Sequence, residues 1–130
     1  MERYRERLTV ARRALDTLDE VVAVTAPSRI VRDAGIQRFE YTLEAVWKAA
    51  QGYLREFEGI DVGSPKGVVR ACRQSGLLGE ADASLALQMI DDRNRTAHTY
   101  NESVAQMIFD RLPQYARLMR TWLNAMSSVE

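Results

Sequence analysis

At 130 residues, 46% apolar and 28% charged, the chain is long enough for one hydrophobic core and ordinary in composition for a globular domain. Its 18 basic and 18 acidic side chains cancel, which excludes a global field that would draw in nucleic acid or an anionic membrane; any nucleic-acid surface must be local. A single cysteine, Cys72, excludes an intrachain disulfide and a cysteine-rich zinc site, and a single histidine, His98, excludes a three-histidine metal site.

The first helix is predicted from about Glu2 to Val24, because Tyr4, Leu8, Ala11, Leu15, Leu18 and Val22 recur at spacings of three and four. Pro27 closes it. A second helix is predicted over about Ser28 to Glu58, with an interruption at Gly35 and Gly59 as its C-cap. Its apolar face, Ile36, Phe39, Leu43, Val46, Trp47, Ala50, Tyr53, Leu54 and Phe57, makes it the centre of the core. Trp47, like Trp122 in the last helix, reads as core rather than as a base-stacking platform.

Ser64 as N-cap and Pro65 in the first turn open a third, shorter helix. Val68, Val69 and Cys72 lie on its inner side, and Gly76 and Gly79 bracket its end. A fourth helix is predicted from about Ala81 to Ala97, anchored by Leu85, Met89 and Ile90. A fifth runs from about Asn101 to Ser127, with a kink expected at Pro113. No segment alternates with period two long enough to argue for a strand. The expected fold is all-α, an up-and-down bundle of four to five helices forming one domain over residues 1–130. The N-terminus lacks the apolar stretch of a signal peptide and no run is long enough to span a membrane, so a cytoplasmic location is expected.

The chemistry concentrates between Asp91 and Glu102. Asp91, Asn94, Arg95 and His98 fall on one face of a continuous helix, with Asp91 and Arg95 at ion-pair spacing. Arg93 lies five residues before His98, roughly 140° round the helix. If the helix ends near His98, the arginine can fold toward it. Thr99 and Glu102 have the spacing of a capping box, which would start the next helix in a tight corner with His98 and Tyr100 at its mouth. A histidine moves protons near neutrality, and an arginine offers a planar fork to a phosphoryl group. Together they suffice to cleave RNA through attack of its own 2′-hydroxyl. Read structurally, the same residues form a surface ion pair, a helix cap and a polar corner that fixes the angle between two helices. No metal-ligand constellation or Gly-rich phosphate loop is present, and neither a metal nor a cofactor is expected. Sixteen of the cations are arginines, with Lys48 and Lys66 the only lysines, a bias that suits bidentate phosphate or carboxylate contacts.

Arg93-x4-His98-x-Tyr100, between Asp91-Asp92 and Asn101-Glu102, resembles the signature of the HEPN (higher eukaryote and prokaryote nucleotide-binding) superfamily. Over nearly its whole length the chain resembles the nucleotidyltransferase substrate-binding proteins, which include HepT-like toxins. Gln37 to Glu44 followed by Trp47-Lys48, and Ser64-Pro65-Lys66, carry the rest of the likeness. The resemblance implies a homodimer with two Arg93/His98 sites near a shared cleft, where Arg38 and Arg95 add charge. It also implies a partner, a minimal nucleotidyltransferase encoded nearby. In HepT-like members the dimer is a metal-independent endoribonuclease toxin. Arg93 would then stabilise the scissile phosphate and His98 transfer protons, with Asn94 orienting the site and Asp91 supporting it. The partner would add AMP to Tyr100. RNA or a nucleotide is the implied ligand, and no DNA is expected. The resemblance equally implies an alternative, a non-catalytic substrate-binding or regulatory subunit, so enzyme status stays open. Ala86 stands where relatives often carry tryptophan, a change in packing or cleft shape.

Overall fold

The apolar spacing of the N-terminal segment builds α1 (Glu2–Val22), which buries Tyr4, Leu8, Ala11, Leu15, Leu18 and Val21 along one face. Val21 replaces the expected Val22 at the end of this stripe, and the helix stops two residues short of Val24. The computed structural model describes residues 2–128, so the expected domain limits at 1 and 130 lie outside the described residues. Ala26, just before Pro27, takes a left-handed conformation (φ 52°) that reverses the chain.

Ser28 then caps α2 (Arg29–Tyr53), its hydroxyl accepting from the Val31 amide at 3.2 Å. The interruption expected at Gly35 does not occur. The glycine serves packing instead: a Cβ there would lie 2.9 Å from Val21 Cγ1, 3.1 Å from Phe109 Cε1 and 3.3 Å from Leu112 Cδ1. Gly35→Ala gains helix propensity, about 1 kcal/mol, but overpacks this contact at a cost of roughly 1–3 kcal/mol. Because valine is stiff at χ1 and cannot swing aside, a net loss of about 1 kcal/mol is expected in a urea melt. The last turn of the predicted second helix widens into a π-helical turn, Leu54–Glu58, closed by Gly59 in the left-handed region (φ 65°) and by Ile60 N–H donating to Leu54 O at 3.0 Å.

Ser64 caps α3 (Pro65–Gln74) by accepting from the Gly67 amide at 3.1 Å, as its spacing to Pro65 predicts. After Gly76 (φ 86°) the chain enters α4 (Glu80–Arg95), capped by Gly79. A 3-10 turn, Thr96–His98, follows. The capping box expected at Thr99 and Glu102 is not formed. Asn101 caps α5 (Glu102–Ser127), accepting from Ser103 N–H at 2.9 Å and Val104 N–H at 3.4 Å. The helix runs through Pro113.

Helices α1, α2 and α5 pack on one another, and the α3–α4 pair lies across α2 and α5. This is the expected up-and-down bundle, with no strand among the described residues. Its centre holds Trp122, Tyr115, Phe39, Leu15, Leu18 and Leu43, all fully buried, with the Phe39 and Tyr115 rings stacked at 5.6 Å. Cys72 is buried here too, and burial pushes its thiol up to about 12, as befits a small core residue. Ala86 is also in the core. Trp47 is only half-buried, packed on the rim of the core. Among the described residues no helix is long and apolar enough to cross a membrane.

Candidate functional site at the α4–α5 corner

Short-range bonds make the corner. Thr96 Oγ1 donates to Arg93 O at 2.7 Å, Thr99 Oγ1 to Thr96 O at 3.2 Å, and Asn101 N–H to His98 O at 3.0 Å. Hydroxyl bonds to carbonyls three residues back satisfy the orphan carbonyls of a helix end and tighten the final turn. Because α4 stops at Arg95, His98 does not continue the Asp91–Arg95 face as a longer helix would have placed it. Instead the imidazole and Tyr100 project from the turn together. Their rings meet edge to face at 5.8 Å, with Nδ1 and the phenol oxygen 3.4 Å apart, a long hydrogen bond. His98 is exposed and Tyr100 is 82% exposed.

Glu102 anchors the far side of the corner. Its carboxylate accepts from Arg29 Nη2 at 2.6 Å and Arg32 Nη1 at 2.9 Å, tying the start of α5 to the start of α2. The Arg32 bond, with Arg29 adding to it, holds this carboxyl below the usual carboxylate range.

Arg93 lines the groove between α2 and α4. The half-buried side chain has no hydrogen-bond or ion-pair partner among the described residues, although Glu44 faces it electrostatically. Two adjoining cavities share Arg93 and Glu44. One, of about 160 Å³, is walled by Leu43, Trp47, Pro65, Ile90 and Asn94. The other, of about 420 Å³, runs along Gln37, Glu40, Tyr41 and Ala45. Thus Arg93 and Asn94 line one groove, and His98 and Tyr100 form the corner at the end of the same helix.

Other expected partners are placed differently. Asp91 pairs with Lys66 of α3 at 2.6 Å rather than with Arg95, and the Lys66 bond holds its carboxyl below the ordinary range. Arg38 does not join a cationic cleft; it donates to Thr17 O at 2.7 Å and to Glu20 at 3.1 Å on α1. Arg95 bonds Asp92 at 2.7 Å. Glu44 accepts from Trp47 Nε1 at 3.0 Å and Lys48 Nζ at 3.1 Å.

Asp92 is not among the expected site residues. This carboxylate is fully buried and receives Arg95 Nη1, Arg111 Nη1 at 2.8 Å and 3.1 Å, and the Tyr115 hydroxyl, which itself accepts from Gln88 at 3.0 Å. Burial, then the bond to Asp92, pushes the Tyr115 phenol up to about 12. The signal was present: Asp92 falls three residues after Met89 on the inward stripe of α4, where a polar group needs partners. Its partners Arg111 and Tyr115 lie 19 and 23 residues away on another helix, which no local pattern connects. Among the described residues no group of three acidic, histidine or cysteine side chains is placed to hold a metal ion.

Residues 6–128 match the family model described as nucleotidyltransferase substrate binding protein like. A comparison with curated protein sequences gives no match. Among solved structures, a Thermus thermophilus protein is 57% identical, with a TM-score of 0.87 over 89% of this chain and 98% of that one. A Haemophilus influenzae protein, described as revealing the fold of a substrate binding domain of a nucleotidyltransferase, is 21% identical, with a TM-score of 0.79 over 92% of this chain and 98% of its own. A chain from a toxin-antitoxin structure named MntA-HpeT is 11% identical, with a TM-score of 0.82 over 98% of this chain and 99% of its own. The last two likenesses are of fold. With its family match spanning almost the whole bundle, the chain belongs to the nucleotidyltransferase substrate binding protein like family and has its HEPN-like helical fold.

Proposed function

We propose that this chain is the HepT-like partner of a minimal nucleotidyltransferase and acts, as a homodimer, as a metal-independent endoribonuclease toxin. The observation that carries this reading is the Arg93 guanidinium in an open groove, with no hydrogen-bond or ion-pair partner among the described residues, on the same short segment as an exposed His98 in contact with Tyr100. A guanidinium with no carboxylate hydrogen-bonded to it keeps its fork free for a phosphodiester. The fold likeness to a toxin-antitoxin chain supports the same reading.

In this mechanism the RNA 2′-hydroxyl attacks its own phosphorus. The P–O5′ bond breaks, leaving a 2′,3′-cyclic phosphate and a 5′-hydroxyl. His98 takes the proton from the 2′-oxygen or returns one to the departing 5′-oxygen, and the two copies in a dimer supply one imidazole for each role. Arg93 stabilises the charge on the non-bridging oxygens, and Asn94, on the same groove, orients the bound RNA. Asp91, bonded to Lys66, supports the site from behind by holding α3 against α4. Purified protein incubated with RNA in excess chelator is expected to leave fragments ending in cyclic phosphate. Intact RNA would count against the ribonuclease.

The exposed Tyr100 is the proposed site of AMP transfer, in which its hydroxyl loses a proton, attacks the α-phosphorus of ATP and displaces pyrophosphate, putting bulk and negative charge beside His98. Mass spectrometry after incubation with the neighbouring transferase and ATP should find an AMP-sized addition on Tyr100 and none on Tyr100→Phe. An unmodified Tyr100 peptide would remove this part. The recessed cavity beside Arg93 favours a second reading, in which the chain presents a nucleotide to the transferase without cutting RNA. Nucleotide binding with no cleavage would select it.

A further inference from the structure

We infer that the smaller cavity between α2 and α4 is a nucleobase subsite that takes guanine, stacked on Trp47, with its Watson–Crick edge on Glu44 and the adjoining phosphate on Arg93. This rests on the reading of Arg93 as a phosphate ligand and adds a base specificity to it.

The cavity, about 160 Å³, has room for one ring system and not for a whole drug-sized ligand. Leu43, Trp47, Pro65 and Ile90 make its walls apolar, while Glu44, Asn94 and Arg93 make its rim polar. A stacking face with polar groups on its edge is what single-stranded RNA recognition uses. The tryptophan is held ready for that role. Its indole N–H donates to Glu44 Oε2 at 3.0 Å, which fixes the ring, and it is only partly buried although it sits on an apolar helical stripe. The opposite wall is fixed as well. Ser64 caps α3 and so places Pro65, and the 2.6 Å Lys66–Asp91 pair pins that helix start to α4.

The polar rim selects the base. Burial pushes the Glu44 carboxyl up, but bonds from Trp47 and Lys48 outweigh it and hold the group below the ordinary range, so it stays an anion. Those bonds take one lone pair on each oxygen and leave others open. An anionic acceptor prefers a base that offers two adjacent donors, and the N1–H and N2–H₂ of guanine are such a pair. Adenine and cytosine offer a single amino group there, and uracil a lone ring N–H flanked by acceptors. The exposed Asn94 amide can donate to guanine O6. Arg93 lines both cavities, so a strand whose base enters the smaller one leaves its phosphate at the guanidinium, on the way to the corner.

The test titrates the full-length chain with the 5′-monophosphates of guanosine, adenosine, cytidine and uridine, followed by calorimetry and tryptophan fluorescence. Trp122 is fully buried, so a quench reports Trp47. GMP is expected to bind about tenfold tighter than CMP or UMP and to quench. Trp47→Leu should weaken GMP about tenfold, Trp47→Phe should keep binding while losing the quench, and Glu44→Gln should erase the preference of GMP over AMP. In parallel, RNA cleavage is compared at bonds flanked by guanosine and by the other bases. Equal binding of all four nucleotides, or GMP binding untouched by Trp47→Leu and Glu44→Gln, overturns the subsite. So does cleavage with no base preference and no nucleotide binding. So does a Trp47→Leu variant that shifts the oligomeric state while GMP leaves the wild type unquenched, since a second copy would then cover the groove. GMP binding with RNA left intact supports the subsite and removes the ribonuclease instead.

Discussion

Arg93→Ala and His98→Ala are each expected to slow RNA cleavage by about a hundredfold or more while leaving the fold unchanged. Removing a proton-transfer group costs roughly 10²–10⁴-fold, and removing a donor to developing oxyanion charge about 10²–10³-fold. Both losses should fall mainly on kcat, because both groups act on the charge and protons of the transition state. Arg93→Lys keeps the charge but loses the planar fork, so partial activity is expected. The stability half of the prediction follows from the surroundings. Among the described residues Arg93 has no hydrogen-bond or ion-pair partner, and His98 is exposed, with one long contact to Tyr100. At the exposed His98 such a change stays within about 0.5 kcal/mol, and at the half-buried Arg93 within about 1 kcal/mol. Single-turnover cleavage assays beside urea melts check both halves. Wild-type rates in either variant would end the case for this corner as a cleavage site.

Asp92→Ala should do the reverse, destabilising the bundle strongly. One buried carboxylate receives two arginines and a tyrosine, and thereby joins α4 to α5. Removing one partner of a buried charge pair costs roughly 3–5 kcal/mol, because the groups left behind lose their acceptor. Arg95 and Arg111 are partly exposed and can turn to water, whereas the fully buried Tyr115 hydroxyl would have no acceptor for its proton. About 3 kcal/mol is therefore expected, with Asp92→Asn costing about half, since its amide oxygen still accepts. Urea unfolding followed by circular dichroism measures both. A loss under about 0.5 kcal/mol for Asp92→Ala would mean that the network adds nothing net. Since Arg93 adjoins Asp92, this variant is also expected to blunt any activity of the corner through loss of positioning, an effect that Asp92→Asn should partly rescue.

Periodicity along the chain was enough to read five helices, their order and most of the core. Leu8, Leu15 and Leu18 on α1, and Phe39 and Leu43 on α2, repeat with the helix period and are buried as that period requires. Ser64 is a cap that sequence and structure agree on, while Ser28, expected only as the start of the second helix, is its cap in the structure. The capping box at Thr99 failed because the helix starts two residues later, with Asn101 accepting from the Ser103 and Val104 amides while Glu102 is drawn to Arg29 and Arg32 of α2. Gly35 misled for a related reason: it reads as a helix breaker locally, but the approach of α1 and α5 is what requires it.

The candidate site divides along the same line. That Arg93, Asn94, His98 and Tyr100 belong to one short segment is a fact of sequence, since residues a turn or two apart on a helix end cannot be far apart in space. Which of them are free is not. Arg93 is open because Glu44 is held by Trp47 and Lys48; Asp91 and Arg95 are taken because Lys66 and Asp92 reach them first. Lys66 reaches Asp91 from α3, and Asp92 is held by Arg111, 19 residues on in α5, so these pairings form only when the helices pack. By itself the sequence determined the helices, their faces and the residues of the corner, because local backbone geometry and the burial of apolar stripes operate at short range. The tertiary structure decided which charges pair, which stay open and where the grooves lie, because a side chain chooses among competing partners only after helix packing has set the distances between them.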